Sequence, residues 1–201
     1  MKIFCIGLNY VNHVKELGNR PVPTAPVIFM KPVTALLKDP AIFYHPEFSE
    51  NIHHEIEVVL KVAKNGKSIQ PAFALDYIEA VSVGIDFTAR DLQSQLKEKK
   101  HPWEISKAFD GSALVGKWRE FQKHEDIGFR LEKNGNVQQE GNTQDLLFNF
   151  EVLITHISKY FTLNKGDLIF TGTPAGVSQV HIGDQIKGFM NEQELFNCTI
   201  K

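Results

Sequence analysis

One stretch constrains the fold more than any other. From Ile52 to Ala63, the side chains Ile56, Val58, Leu60 and Val62 alternate with Glu55, Glu57, Val59 and Lys61. Alternation over this length requires a β-strand with one face turned to a core. It also places two carboxylates side by side. At a rise of about 3.3 Å per residue, Glu55 and Glu57 stand roughly 6–7 Å apart at their backbones, on one face. Two anions held that close repel each other, and a hard cation compensates them well. An exposed edge strand, where acidic residues discourage aggregation, is the commoner explanation of such a pair taken alone.

The rest of the chain reads as one domain, 1–201, with turn signals throughout and no repeat or linker. Strands are expected at 2–6, Val27–Lys31, Ala80–Phe87, Leu168–Phe170, 185–189 and 195–200. Asn134-Gly135 predicts a hairpin between Phe129–Lys133 and Val137–Gln139. Helical turns are expected over Asn9–Leu17, closed by Gly18, and over Pro71–Tyr77. A further helix should follow Asp86, capped by Thr88 and running to about Lys99. Asn149–Tyr160 has helical periodicity in Val152, Leu153, His156 and Ile157. The segment 18–26, with three prolines, reads as a loop beside polar candidates. Strands outnumber helices, which favours an α+β or mainly β domain over a doubly wound sheet.

Composition removes several functions. At 201 residues, 42% hydrophobic and 23% charged, the chain can bury one substantial core. Net charge is −2, and Glu98 interrupts the lysine cluster ending at His101, so no nucleic-acid groove is expected. The two cysteines, Cys5 and Cys198, form neither a disulfide framework nor a zinc spacing and suit a reducing cytoplasm. The first apolar stretch is too short for a signal peptide, and no run approaches the roughly 20 residues that span a bilayer. The expectation is a soluble cytoplasmic protein with no membrane association.

Several residues carry possible chemistry. Asp86 ends the apolar run Val81–Ile85 just before a helix, a common place for a site. With Glu55 and Glu57 it makes a carboxylate set suited to a magnesium-type ion, and no His or Cys accompanies it at zinc spacing. His13 and Glu16 share a face of a helical turn, so Glu16 can orient the ring for proton transfer, although such pairs usually decorate solvated helices. Lys107 lies between Trp103 and Phe109, either partly desolvated or snorkelling at the surface. Arg90 and Gln93 sit at a helix amino end that favours an anion, and Arg90 has Asp91 and Glu98 as alternative partners. Thr171–Gly176 can offer backbone amides and Thr173 to a carboxylate, or form a structural turn. His53 shares the Glu55 face as a weak supporting candidate, and His54 reads as structural or exposed.

Taken together, these pieces resemble the fumarylacetoacetate hydrolase family, in its short single-domain branch that includes the acylpyruvases. The matching stretches are Gly7-Leu8-Asn9-Tyr10 with His13 and Glu16, Phe29-Met30-Lys31-Pro32, His54-Glu55-Ile56-Glu57 and Asp86-Phe87-Thr88-Ala89-Arg90-Asp91. Further matches are Lys107-Ala108-Phe109-Asp110, Asn134-Gly135, Gln139-Glu140-Gly141 and Thr171-Gly172-Thr173-Pro174-Ala175-Gly176. They follow the family's order across nearly the whole chain. The resemblance implies a mainly β, mixed β-sandwich roll with short helices, usually a homodimer. It implies that Glu55, Glu57 and Asp86 hold magnesium (Mg2+), manganese (Mn2+) or calcium (Ca2+). It implies water activation by His13 and Glu16, charge stabilisation by Lys107, and a small 2-oxo-acid substrate lined by Arg90, Gln93 and Thr173. The implied reaction is hydrolysis of a carbon–carbon bond in acylpyruvate-type 1,3-dioxo acids, of the acetylpyruvate or fumarylpyruvate class. An oxaloacetate decarboxylase or tautomerase is the alternative, since it needs the same enolate. A catalytically silent metal and keto-acid binding protein is the remaining class, and retention of His13, Glu16 and Lys107 together argues against it. The chain is expected to lack the amino-terminal extension of some relatives, with the loop 18–26 over the pocket.

Overall fold

The computed structural model describes residues 1–16, 18 and 21–201. Among these, the strands form three sheets. The largest runs in the order Val27–Lys31, Ile3–Gly7, Leu168–Phe170, Ile56–Val62, Ile78–Asp86 and Ala113–Val115, with Arg119–Glu120 also on Ile78–Asp86. A five-stranded sheet runs Asn136–Asn142, Gly128–Lys133, Gln185–Met190, Gln193–Ile200 and Ile42–Phe43. A small sheet joins Ser178–Gln179, Ile52–His54 and Thr88–Ala89. The pairing is mixed: Ile3–Gly7 runs parallel to Leu168–Phe170 but antiparallel to Val27–Lys31. The fold is thus mainly β, with few, short helices, as expected.

The expected single strand over Ile52–Ala63 is two strands broken at Glu55. Ile52–His54 belongs to the small sheet, whereas Ile56–Val62 lies at the centre of the large one. The neighbouring chain makes the same transfer: Ile78–Asp86 is in the large sheet and Thr88–Ala89 in the small one. Both chains therefore turn one corner together, and the Asp86 amide donates to the Glu55 carbonyl at 2.9 Å across it. This corner brings Glu55 beside Asp86.

Both faces of the large sheet are covered. Ile56, Val58, Leu60 and Val62 enter the main core with Leu131 and Ile186 of the five-stranded sheet. On the opposite face, Val59 joins Ile3, Cys5, Leu168 and Phe170 in a second cluster. Each fully buried apolar side chain contributes about 1.5–3 kcal/mol, which lets the fold tolerate polar groups in its interior. An exposed edge does not explain the Glu55–Glu57 pair: the strand is central, and both carboxylates are buried.

Other elements follow the sequence closely, with two corrections. Val11–Glu16 is helical, and the amide of Gly18 caps it on the Lys15 carbonyl at 3.1 Å. Leu17, Asn19 and Arg20, which fall in the expected helix end and loop, lie outside the described residues. Thr88 does not cap the helix Arg90–Glu98: Ala89 holds the cap position, and the Arg90 amide instead donates to the Asn51 carbonyl at 2.8 Å. In the helix Phe150–Tyr160, Asn149 caps through the Val152 amide at 3.1 Å. Its inner face is Phe150, Leu153, Ile154 and Ile157, while Val152 is exposed, because the helix packs on Pro71–Tyr77 and not on the Val152 side. Cys5 and Cys198 are free and buried. No described helix is long and apolar enough to cross a membrane.

The turn 171–176 depends on two glycines with left-handed backbones, Gly172 at φ 107° and Gly176 at φ 98°. A Cβ on Gly176 would meet the Gln138 carbonyl oxygen at 2.2 Å, whereas Gly166, at φ 85°, has nothing within 4 Å. Replacing Gly166 by alanine should therefore cost about 1 kcal/mol, the conformational penalty alone. Gly176→Ala should cost about 3 kcal/mol or more, since the backbone itself must move. Urea unfolding of the two variants checks the order; equal losses would show that the Gln138 contact does not fix the turn.

Candidate metal centre

The corner between the sheets supplies the site. Glu55 sits at the break, Glu57 lies two residues into the central strand, and Asp86 ends the neighbouring strand. One oxygen from each carboxylate lies within 4.8 Å of the others. All three are buried, with exposures of 5%, 2% and 0%. Burying an ion costs several kcal/mol, so such a cluster persists only when its charge is compensated.

Three basic side chains provide most of that compensation. Lys107 Nζ donates to Glu55 Oε2 at 2.8 Å, Asp86 Oδ2 at 2.6 Å and Thr88 Oγ1 at 2.6 Å. These use all three ammonium hydrogens. Lys107 is buried and does not snorkel. Arg90 pairs with the other oxygen of Glu55 and donates to Gln93 Oε1 at 2.8 Å, not to Asp91 or Glu98. Lys31, fully buried, lies 2.8 Å from Asp86 Oδ1 and also donates to the Lys107 carbonyl and to Ser112. The Lys31 contact to Asp86 is ionic and lies off the line of a directed hydrogen bond, so Oδ1 keeps acceptor capacity.

Glu57 differs from its neighbours. Its Oε2 accepts from the Gly172 amide at 2.7 Å, and among the described residues no basic side chain forms a salt bridge with it. Burial raises its pKa well above the ordinary carboxylate range, and the adjacent Asp86 charge raises it further, against the Gly172 bond. For Glu55, burial acts upward too, but Lys107 and Arg90 outweigh it and hold the group well below its usual range. Burial would lower Lys107, and the charges of Asp86 and Glu55 raise it instead. Lys31, Lys107 and Arg90 thus pair with Glu55 and Asp86, and among the described residues no salt bridge reaches Glu57. That donor set, all oxygen and short of positive charge at Glu57, fits a hard divalent ion with open positions for water and a chelating ligand.

The remaining expected residues surround the same space. His13, Arg90, Gln93, Lys107 and Thr173 line one small cavity with the three carboxylates, and its enclosed volume is about 40 Å³. His13 is buried, and its Nδ1 lies 3.0 Å from Glu16 Oε2. Glu16 Oε1 in turn accepts from the Gly176 amide at 3.0 Å. The dyad is therefore fixed on the glycine turn, unlike a decorative surface pair. The turn spends its Gly172 and Gly176 amides on the protein's own Glu57 and Glu16, which leaves the Thr173 side chain as its polar group toward the cavity. His53 is half-buried, and among the described residues its Nδ1 has no hydrogen-bond partner. His54 is buried between Gln139 Oε1 at 2.8 Å and Ser178 Oγ at 2.8 Å, and burial lowers its pKa to about 4.

Sequence reasoning named no role for Lys31, Phe29, Trp103 or Gln139, all of which the structure brings to the site. Phe29 and Trp103 stack edge to face at 6.2 Å and form an apolar wall. Lys31 carried a usable signal. It is a charged residue ending an apolar strand, the same pattern that singled out Asp86. Gln139 stood out only within the matching stretch Gln139-Glu140-Gly141, and its spacing gave it no role, since its partners come from distant segments.

The chain is similar to known proteins over nearly its whole length. The fumarylacetoacetate (FAA) hydrolase C-terminal family matches residues 2–201. The mitochondrial oxaloacetate tautomerase FAHD1 of Mus musculus is 38% identical over 188 residues, covering 92% of this chain and 85% of the relative. A crystal structure of fumarylpyruvate hydrolase from Pseudomonas aeruginosa, in complex with Mn2+ and pyruvate, superposes with a TM-score of 0.93 at 31% identity, covering 100% of this chain and 89% of the other. A 2-hydroxyhepta-2,4-diene-1,7-dioate isomerase from Mycobacterium marinum gives a TM-score of 0.85 at 30% identity, covering 99% and 73%. With a family match over residues 2–201 and a relative 38% identical across 92% of the chain, the chain belongs to the fumarylacetoacetate hydrolase family.

Proposed function

We propose that this chain is a divalent-metal-dependent enzyme that forms an enolate from a small 2-oxo acid, and that its reaction is hydrolysis of a carbon–carbon bond in acylpyruvates. The observation that carries the reading is His13, buried against the same cavity as the three carboxylates and held at Nδ1 by the exposed Glu16. Glu55, Glu57 and Asp86 would hold the ion, magnesium in this reading. When bound, such an ion supplies Lewis acidity that favours the enolate. The Mn2+ and pyruvate in the similar Pseudomonas aeruginosa structure support a metal and a 2-oxo acid together. We include a homodimer in the proposal, as the resemblance implies.

The chain's own groups account for the remaining steps. Glu16, anchored by the Gly176 amide, orients His13 through Nδ1 and leaves Nε2 to take a proton from water. The resulting hydroxide attacks the distal carbonyl of the acylpyruvate; the bond from that carbonyl to the methylene carbon then breaks, leaving a carboxylic acid and the enolate of pyruvate, which takes back the proton held on His13 to give pyruvate. Lys107 has all three hydrogens engaged, so it stabilises the developing charge through its field, or by releasing its neutral partner Thr88. Arg90 and Thr173 offer donors to the acid's carboxylate, and Gln93 steadies Arg90. Phe29 and Trp103 keep one wall of the cavity dry.

A second reading is oxaloacetate tautomerisation or decarboxylation. It is supported by the likeness to the mouse tautomerase. There His13 would move a proton on carbon rather than on water.

Three outcomes test these assignments. Glu57→Ala should weaken magnesium binding at least about 100-fold by calorimetry, since losing even a supporting residue costs about 10–100-fold; unchanged affinity would remove Glu57 from the metal set. His13→Ala should keep magnesium affinity but lower kcat on acetylpyruvate by about 10²–10⁴-fold, the range for a lost general base. Normal turnover in that variant would end the water-activation role. With magnesium present, acetylpyruvate, fumarylpyruvate and oxaloacetate should be compared for pyruvate release, carbon dioxide and keto–enol exchange. Hydrolysis predicts pyruvate from the first two acids. Rapid exchange or carbon dioxide from oxaloacetate, without hydrolysis, selects the second reading.

A further inference from the structure

Gln139 belongs to the hairpin strand Asn136–Asn142 and is 1% exposed. Its amide makes four hydrogen bonds. Nε2 donates to the Pro174 carbonyl at 2.9 Å and to Thr173 Oγ1 at 2.8 Å. Oε1 accepts from the Ile56 amide at 3.0 Å and faces His54 Nδ1 at 2.8 Å. Two of these partners have only one role each: a carbonyl accepts and a backbone amide donates. The orientation of the Gln139 amide is therefore fixed, and two consequences follow. His54 Nδ1 must carry a hydrogen. Thr173 Oγ1 must accept from Gln139, so its own hydrogen points elsewhere.

The chain continues outward with one polarity. His54 Nε2 lies 2.8 Å from Ser178 Oγ, and Ser178 Oγ accepts from Lys133 Nζ at 3.2 Å. Lysine only donates. Reading inward, Lys133 donates to Ser178, Ser178 to His54, His54 to Gln139, and Gln139 to Thr173. Thr173 is buried and lines the carboxylate cavity, and among the described residues no acceptor takes its hydroxyl hydrogen.

We propose that Gln139, backed by His54 and Ser178, is a positioning residue that locks the Thr173 hydroxyl as a hydrogen-bond donor into the cavity, where it receives the carboxylate of the 2-oxo acid. The inference rests on the reading of that cavity as an oxo-acid site. Bonds aligned in one direction polarise each other, so Thr173 is a stronger donor than an isolated hydroxyl. Gln139 also holds the Ile56 amide between Glu55 and Glu57, so the donor and the carboxylates share one anchor.

A double-mutant cycle with oxalate as the probe tests this, by calorimetry at saturating magnesium. Thr173→Val should weaken oxalate about 10–100-fold, the scale of one hydrogen bond to a charged group. Gln139→Met should weaken it comparably in the native background, but by less than about threefold when Thr173 is already valine. A merely structural role would weaken both backgrounds equally, and that result overturns the proposal. Failure of the unaltered chain to bind oxalate at all would instead defeat the oxo-acid reading. The second measurement needs no substitution: the long-range 1H–15N spectrum of the unaltered protein at neutral pH should place the His54 proton on Nδ1. A proton found on Nε2 alone reverses the chain and overturns the proposal, whether or not Gln139→Met folds.

Discussion

Everything at the centre of this molecule depends on keeping three carboxylates dry and close together. Each buried ion costs several kcal/mol, and like charges add to that. The fold meets the cost with Lys31, Lys107 and Arg90, brought from three separate segments onto Glu55 and Asp86. Among the described residues, Glu57 is left with a backbone amide alone. The imbalance is local and directional. It makes the site receptive to a cation at one carboxylate while its neighbours are already held in place.

The geometry follows from one architectural event. Two adjacent strands leave the large sheet for the small one at the same corner, tied by the Asp86 amide on the Glu55 carbonyl. Ligands built on paired strands are held more rigidly than ligands on loops. The glycine turn then closes the site from the other side. Its amides hold Glu57 and Glu16, and its Thr173 faces the cavity. One short turn thereby links the carboxylate centre to the His13–Glu16 dyad, which is how the proposed proton-transfer pair comes to be tied to the three carboxylates.

Much of this was legible in the sequence, and the failures have physical causes. Alternation from Ile56 to Val62 revealed the central strand, because burial on a pleated sheet imposes a period of two. It did not reveal the break at Glu55, since changing sheets leaves the alternation intact. The same alternation left Glu55 and Glu57 looking like edge charges, because a strand's own sequence does not say what covers its second face. Thr88 has the composition of a cap, yet its hydroxyl is taken by Lys107 and the Asp86 carbonyl, a tertiary demand that overrides the local one. Lys107 could be read as buried or snorkelling until its three acceptors were in place. Gln139 was invisible as an anchor, for its four partners lie 34 to 85 residues away in the chain. Family resemblance supplied what spacing did not: the grouping of His13, Glu16, Lys107 and Thr173 around the carboxylates.

The proposed chemistry requires that this carboxylate corner bind one divalent ion and that the ion, in turn, receive a 2-oxo acid. Titration with Mn2+, followed by electron paramagnetic resonance and by the relaxation of solvent water, tests it most directly. One tightly held Mn2+ per chain is expected, with bound waters that are displaced when oxalate is added. Oxalate binding that is equally strong without the ion, or an ion that keeps all its waters in the presence of oxalate, would contradict it.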